Sequence, residues 1–341
     1  MPNGATQARV APVVGRADPD QALAAGAEPA IRVRGLRKSY GTLEAVAGID
    51  LTIAQGEIFA LLGPNGAGKT TVVEILEGYR ARNGGQVDVL GVDPQRATRD
   101  WRARIGVVLQ TSRMEPELKV WETLALFAGY YPDALSVDLA LELVGLSRER
   151  DRRVGQLSGG QQRRLDVGLA LVGNPELLFL DEPTTGFDPA ARRQFWQVIR
   201  GLRDLGKTVL LTTHYMDEAR RLADRVAILA RGRVVACGRP SELGEQVRPL
   251  TQIAFALPPS VALEELEATL ARACTPPPSV LLENGEVELR TDEPTRVLSV
   301  LTSWAIGRGE ELTGLEVRPP DFEEIYLQLT EGLGPDEEAA R

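Results

Sequence analysis

The stretch Ile58-Phe59-Ala60-Leu61-Leu62-Gly63-Pro64-Asn65-Gly66-Ala67-Gly68-Lys69-Thr70-Thr71 constrains the fold of this chain more than any other. A short apolar run with the character of a buried strand meets a glycine-rich turn, and Val72, Val73, Ile75 and Leu76 then recur at helical spacing. This is G-x-x-x-x-G-K-[ST] between a strand and a helix, the setting in which the pattern cradles phosphate. Glycines at 63, 66 and 68 let the backbone curl until successive N–H groups point at phosphate oxygens. The helix N-terminus adds its dipole, Lys69 adds a point charge toward the β- and γ-phosphates, and the Thr70 hydroxyl is placed to ligate Mg²⁺. A chance glycine loop is a poor alternative, because lysine is scarce here and stands only at 38, 69, 119 and 207. The loop implies a site for a nucleoside triphosphate.

Composition narrows what such a site serves. A chain of 341 residues with 43% hydrophobic and 26% charged residues holds two globular domains, or one large domain with an appendage. A net charge of −9 argues against affinity for nucleic acid or anionic lipid based on overall charge. Cys237 and Cys274 lack metal-ligand spacing and read as free thiols of a reducing compartment. No run approaches the roughly 18 apolar residues of a membrane span, and there is no signal-peptide core. The expectation is a cytoplasmic protein that meets a membrane only through a partner.

Along the chain, residues 1–29 are rich in Ala, Pro, Gly and Asp without periodicity and read as a disordered leader. Alternating patterns at 31–34, 45–53 and 87–90 predict an antiparallel edge sheet around the phosphate-loop strand. A short strand at 105–110 is followed by helical spacing over 121–130, 136–144 and 161–172, a helical insertion spanning about 111–173. Strand 177–180, helix 189–204, strand 208–213, a helix near 216–223 and strands 226–229 and 233–236 resume the core. Strands alternating with helices imply a mainly parallel, doubly wound sheet. Beyond a short helix at 240–243 the composition shifts. Strand 250–257, helix 261–272, strands 279–283 and 286–290, helix 295–306 and strand 311–317 suggest a small ferredoxin-like α+β domain over 245–331. The hairpin turn Glu283-Asn284-Gly285-Glu286 anchors that reading. A final amphipathic helix at 321–330 and an acidic tail over 332–341 complete the chain.

Asp181 and Glu182 close the apolar run 177–180, and an acid at the end of a buried strand is costly unless its charge is used. Beside a phosphate loop, Asp181 is suited to Mg²⁺ and Glu182 to polarising an attacking water. Leu157-Ser158-Gly159-Gly160-Gln161 opens a helix with Ser158 as its cap, and the two glycines leave the helix amides open to an anion. Read by itself, this is a capped helix after a loop.

The pentapeptide Leu157–Gln161 is identical to the signature of the ATP-binding-cassette (ABC) ATPases. It stands between a phosphate loop and a Leu-Leu-Phe-Leu-Asp-Glu strand in that family's order. The chain resembles a single ABC nucleotide-binding domain over about residues 30–244. The resemblance implies a P-loop NTPase cassette with a RecA-like parallel core, an antiparallel β subdomain and a helical subdomain. It also gives roles to further residues. Tyr40 would stack on adenine, Gln110 would sense Mg²⁺ and the nucleophilic water and contact the transport partner, Asp188 in Gly186-Phe187-Asp188 would form the D-loop, and His214, the only histidine, would touch the γ-phosphate. Leu is more usual than Phe187 there, a conservative change. Two such domains would pair head to tail, the signature of one closing over ATP held by the Lys69 loop of the other. With one set of motifs and no internal repeat, the chain would need a second copy or a similar chain.

The resemblance further implies an ATPase subunit working with a separate integral-membrane permease, with ATP and Mg²⁺ as cofactors and no nucleic acid as partner. Leu76-Glu77-Gly78-Tyr79-Arg80, Arg163-Arg164-Leu165-Asp166-Val167 and 320–326 resemble the daunorubicin-resistance exporter branch, whose substrates are hydrophobic drugs, antibiotics or lipid-like molecules. A chromosome-maintenance ATPase would need a long coiled coil between Gln110 and Leu157, and a translation factor would need two cassettes and basic linkers. An ATP-dependent regulatory switch outside transport stays as the alternative.

Overall fold

The computed structural model describes residues 29–109, 114–246, 250–283 and 285–318. Gln110, Asn284, the leader to residue 28, the 321–330 segment and the tail lie outside the described residues.

The fold is organised by strand β3 (Ile58–Leu62), whose residues are all buried. A strand buried on both faces must be apolar throughout, which is why it carries no alternation. Before it come β1 (Pro29–Tyr40) and β2 (Leu43–Ala54); after it come α1 (Lys69–Leu76), β4 (Gly84–Val89), α2 (Arg99–Ala103) and β5 (Ile105–Val108). Strands β1, β2 and β4 form an antiparallel sheet in the order β2-β1-β4. Strand β1 includes Pro29 and is longer than its alternating segment 31–34 suggests. Its register shifts between Val33 and Leu36, around Gly35 at φ 58° with its N–H on Asp50 Oδ1 at 2.7 Å. That bulge breaks the period-two signal without ending the strand.

Three helices follow, α3 (Val120–Ala128), α4 (Val137–Leu143) and α5 (Gly159–Leu171), which pack on one another, and α5 leans on β5. The core then resumes with β6 (Leu177–Asp181), α6 (Pro189–Asp204), β7 (Thr208–Thr213), α7 (Met216–Leu222), β8 (Arg225–Ala230), β9 (Arg233–Gly238) and α8 (Pro240–Gln246). The six-stranded sheet runs β5-β6-β7-β3-β8-β9, parallel except for β9 at the edge. Phe59, Leu61, Phe179, Leu210 and Leu229 of this sheet share one hydrophobic core with Ile31, Val33, Ile49, Leu51, Val72 and Leu76. Each such fully buried side chain contributes about 1.5–3 kcal/mol. The sheet order sends β3, β6 and β7 out at the same edge, and that edge is where ligands sit in open α/β sheets. The fold is the α/β cassette with an antiparallel β sheet and a helical insertion.

The chain divides into two compact units, to Pro240 and from Ser241. The second contains β10 (Thr251–Ala256), α9 (Leu263–Ala273), β11 (Ser279–Glu283), β12 (Glu286–Thr291), α10 (Pro294–Arg308) and β13 (Glu316–Arg318). Its antiparallel sheet has the order β11-β12-β10-β13, a β-α-β-β-α-β path in which the first strand lies between the third and the last. Ile253, Phe255, Val287 and Leu289 pack under Leu266, Leu270, Val297 and Leu301. Strand β13 is much shorter than the segment 311–317. Gly309 caps α10 at φ 70°, and a turn at Gly314 (φ 72°) occupies the residues before Glu316.

Candidate functional site

The phosphate loop begins where β3 ends. Gly63 N–H donates to Thr213 O at 3.4 Å, tying the loop to the end of β7. Gly63 is needed for space, since a Cβ there would run into the Leu229 carbonyl. Gly68 is needed for conformation as well: it caps α1 at φ 100°, pressed against the Ala45 carbonyl. Pro64, Asn65 and Gly66 are exposed at the loop tip, Ala67 is buried beneath them, and Thr70 and Thr71 open the helix. The first turn of α1 has no side-chain cap, so its amides remain open to an anion.

Lys69 is 5% exposed and donates to Gly63 O at 2.8 Å and Pro64 O at 3.0 Å. Its Nζ lies 3.6 Å from Glu182 Oε1. Burial lowers the ammonium's pKa, and the carboxylates of Glu182 and Asp181 oppose that shift. Asp181 ends β6 and Glu182 follows in left-handed backbone at φ 43°. A non-glycine residue held there is strained and must be fixed by its surroundings. Two groups fix it. Glu182 N–H donates to Thr212 Oγ1 at 2.9 Å, and Thr185 Oγ1 donates to the Glu182 carboxylate at 3.2 Å. Thr212 Oγ1 in turn donates to Asp181 Oδ1 at 2.5 Å, so one buried hydroxyl orients both acids.

Thr70 Oγ1 lies 3.5 Å from Asp181 Oδ2. A hydroxyl and a carboxylate oxygen at that separation fit a small hard cation such as Mg²⁺, which takes oxygen ligands and keeps several waters. His214 Nδ1 stands 3.4 Å from Glu182 Oε1 without a formed hydrogen bond, and its ring packs on Tyr215 at 4.0 Å between centroids. Lys69, Thr70, Asp181, Glu182 and His214 are thus gathered at one sheet edge.

Other candidates stand on separate elements. Ser158 caps α5: Gln161 N–H donates to Ser158 Oγ at 3.3 Å and Ser158 N–H to Gln161 Oε1 at 2.9 Å, a reciprocal box. Leu157 is buried beneath, while Ser158 and Gly159 are exposed and Gly160 is half-buried with its Cα beside Ala191. Asp188 caps α6, accepting from Ala191 and Ala190 N–H at 2.8 Å, and those bonds hold its carboxyl below the usual range. Tyr40 is 40% exposed at the end of β1, with Lys38 and Arg80 each about 5 Å from its ring centre.

Sequence reasoning passed over Thr212 and gave Arg163 no site role. Thr212 lay inside a β-rich run and looked like any strand threonine. In the sequence Arg163 stands out only as part of a family-like pentapeptide, yet the structure buries its guanidinium among carbonyls at the ends of β5 and β6. An arginine on the inward stripe of a helix is the signal that could have found it.

Residues 46–185 match the ABC transporter family, and residues 251–320 match the C-terminal domain of ABC transporter domain-containing proteins. Among similar sequences, the Nod factor export ATP-binding protein I of Rhizobium sp. (strain N33) is 38% identical over 88% of this chain and 97% of its own length. The protein of the same name from Paraburkholderia xenovorans is 44% identical over 63% of this chain and 73% of its own. Among solved structures, CbiO1 of Clostridium perfringens, part of the ABC transporter complex CbiONQ, superposes with a TM-score of 0.59 at 28% identity, covering 64% of this chain and 92% of that one. A dimeric post-hydrolysis cassette bound to ADP and phosphate gives 0.55 at 27% identity, over 61% of this chain and 98% of that one.

Proposed function

Because the chain belongs to the ABC transporter ATP-binding proteins, we propose that it hydrolyses ATP to drive export through a separate membrane permease. The observation that carries this reading is a division of labour. Lys69, Thr70, Asp181, Glu182 and His214 converge at one sheet edge, while Ser158 and Gly159 present a capped helix end to solvent. The Ser158–Gln161 box occupies the N–H groups of those two residues, and in this reading the amides of Gly159 and Gly160 between them face the nucleotide of a second copy.

In this reading the loop amides from Gly63 to Thr71 and Lys69 hold the β- and γ-phosphates, and Tyr40 stacks on the adenine. Thr70, Asp181 and Gln110 hold Mg²⁺, which when bound neutralises phosphate charge. Glu182 accepts the proton of a water whose oxygen bonds to the γ-phosphorus as the bond to the bridging oxygen breaks, releasing ADP and phosphate. His214 and Gln110 hold the water and the γ-phosphate, and Leu157–Gln161 and Asp188 face the partner's nucleotide.

Among the described residues no helix is long and apolar enough to cross a membrane. In the proposed reading the subunit is cytoplasmic and is held at the membrane by its permease. The similarity to proteins named for Nod factor export supports outward transport. A hydrophobic drug, antibiotic or lipid-like substrate, in the manner of the daunorubicin-resistance branch, rests on the short motifs around residues 76–80 and 163–167. Residues 30–244 form the cassette, and residues 245–331 serve dimer stabilisation or regulation. The test is sizing chromatography of Glu182→Gln with ATP and Mg²⁺. An ATP-dependent dimer abolished by adding Ser158→Arg is expected; a monomer with and without ATP would overturn the pairing.

A further inference from the structure

Arg163 lies about one turn inside α5, whose exposed end carries Ser158-Gly159-Gly160, and its guanidinium leaves the helix for the sheet. Nε donates to Pro183 O at 3.1 Å, Nη2 to Asp181 O at 2.9 Å, and Nη1 to Leu109 O. Asp166, one turn along the same helix, lies 3.7 Å from Nη1, and Arg163 is only 8% exposed. The three carbonyls share a place: Leu109 and Pro183 lie just beyond the ends of β5 and β6, and Asp181 is the last residue of β6, where its ladder with β7 ends at Thr212. A buried carbonyl left without a donor is costly, and a rigid fork of five N–H donors satisfies all three together. A lysine offers no such plane.

The positions of those carbonyls matter. Asp181 and Pro183 flank Glu182, and Leu109 precedes Gln110. One side chain of the signature helix therefore grips the main chain on both sides of the strained Glu182 and at Leu109, beyond the end of β5.

We propose that Arg163 is a positioning residue that couples the signature end of α5 to the Asp181–Glu182 corner of the same chain. The proposal rests on the head-to-tail pairing above. Docking of α5 on the partner's nucleotide then sets the hydrolytic groups of the chain's own site. Occupancy of one site is thereby reported to the other.

The experiment uses the full chain as Arg163→Met and Arg163→Lys, with fluorescent-nucleotide titration, steady-state hydrolysis against ATP concentration, and thermal melting. Nucleotide affinity should stay within about twofold, because Arg163 touches no part of the phosphate loop among its recorded bonds. The kcat of Arg163→Met should fall at least about tenfold and its Hill coefficient should drop toward one. Arg163→Lys, which keeps the charge but not the fork, should fall between Met and wild type. Unchanged kcat in a folded variant, or kcat and binding lost together in proportion to the unfolded fraction, would overturn the coupling. If Arg163→Met does not fold, Arg163→Lys decides by the same criteria. The pairing is read separately from the Glu182→Gln chain: if that chain forms no ATP-dependent dimer, the pairing fails, and if it dimerises while Arg163 variants keep full kcat, the coupling alone fails.

Discussion

Lys69 Nζ stands 3.6 Å from Glu182 Oε1 while donating to the carbonyls of Gly63 and Pro64. The ammonium thus arrives at the nucleotide site already desolvated, held by the loop it serves and drawn toward the acid across the cleft. Phosphate oxygens offer it stronger, charge-assisted partners than those carbonyls.

Lys69→Ala removes the buried cation that lies 3.6 Å from Glu182 and is held by the loop carbonyls. Two charge-assisted contacts are worth about 3–5 kcal/mol, so nucleotide affinity should weaken by about 10²–10⁴-fold. Titration with a fluorescent ATP analogue measures it, and retained affinity would place the phosphates elsewhere.

Glu182 combines a chemical role with strained backbone at φ 43°. Glu182→Gln should leave nucleotide affinity intact and lower kcat by about 10²–10⁴-fold, the range of a lost general base. Glu182→Gly and Glu182→Ala lose the base equally, but only glycine relaxes the backbone. Glycine should therefore melt higher than alanine, by about 1 kcal/mol at this position. Equal melting would mean that the surrounding bonds already relieve the strain.

Thr212 is buried with its hydroxyl between Asp181 Oδ1 and Glu182 N–H. Thr212→Val keeps the shape and orphans both partners, which costs about 1–3 kcal/mol of stability. Hydrolysis should fall with little change in KM, and Thr212→Ser should restore it. A lower melting temperature with unchanged kcat would reduce Thr212 to a structural residue.

What the sequence made legible follows from how local each signal is. The loop at 63–71 announces itself because its glycines, lysine and threonine are contiguous. Asp181 and Glu182 stand out because charge directly follows a buried run. The sheet could be read as doubly wound because β3, β6 and β8 carry apolar runs on both faces and helical spacing lies between the strands. The bulge at Gly35 hid the length of β1, since one inserted residue reverses the alternation. Thr212 and Arg163 were hidden for a different reason. Their partners lie 31 residues from Thr212 and as far as 54 residues from Arg163, and no local pattern records a bond of that span.

The two hydrophobic cores draw on separate residues, one centred on Phe59 and Phe179 and the other on Phe255 and Leu289. Deleting 245–341 removes every residue of the second core and none of the first. The remaining cassette should unfold in one cooperative transition and bind ATP with unchanged affinity, while the ATP-dependent dimer weakens. Calorimetry and sizing chromatography check this. A truncated chain that cannot fold would move the boundary further along the sequence.

Glu77 closes α1 with a half-buried carboxyl, pushed up to about 8 first by burial and then by the carboxylates of Asp181 and Glu74. In the unfolded chain the same group titrates near 4.5. Below that pH both states hold the proton and Glu77 has no pH-linked effect. Between roughly pH 4.5 and 8 the unfolded chain has released its proton and the folded chain has not, so ionisation favours unfolding and stability falls as pH rises. Above about pH 8 the penalty is complete. Glu77→Gln, of the same shape and always neutral, should melt with wild type near pH 5 and above it at pH 8. After discounting for partial contact with solvent, the difference should be on the order of 1–3 kcal/mol, or roughly 3–10 °C for a domain of this size. Thermal melts at pH 5, 6.5 and 8 check it. A gap of the same size at all three would trace the effect to packing instead of ionisation.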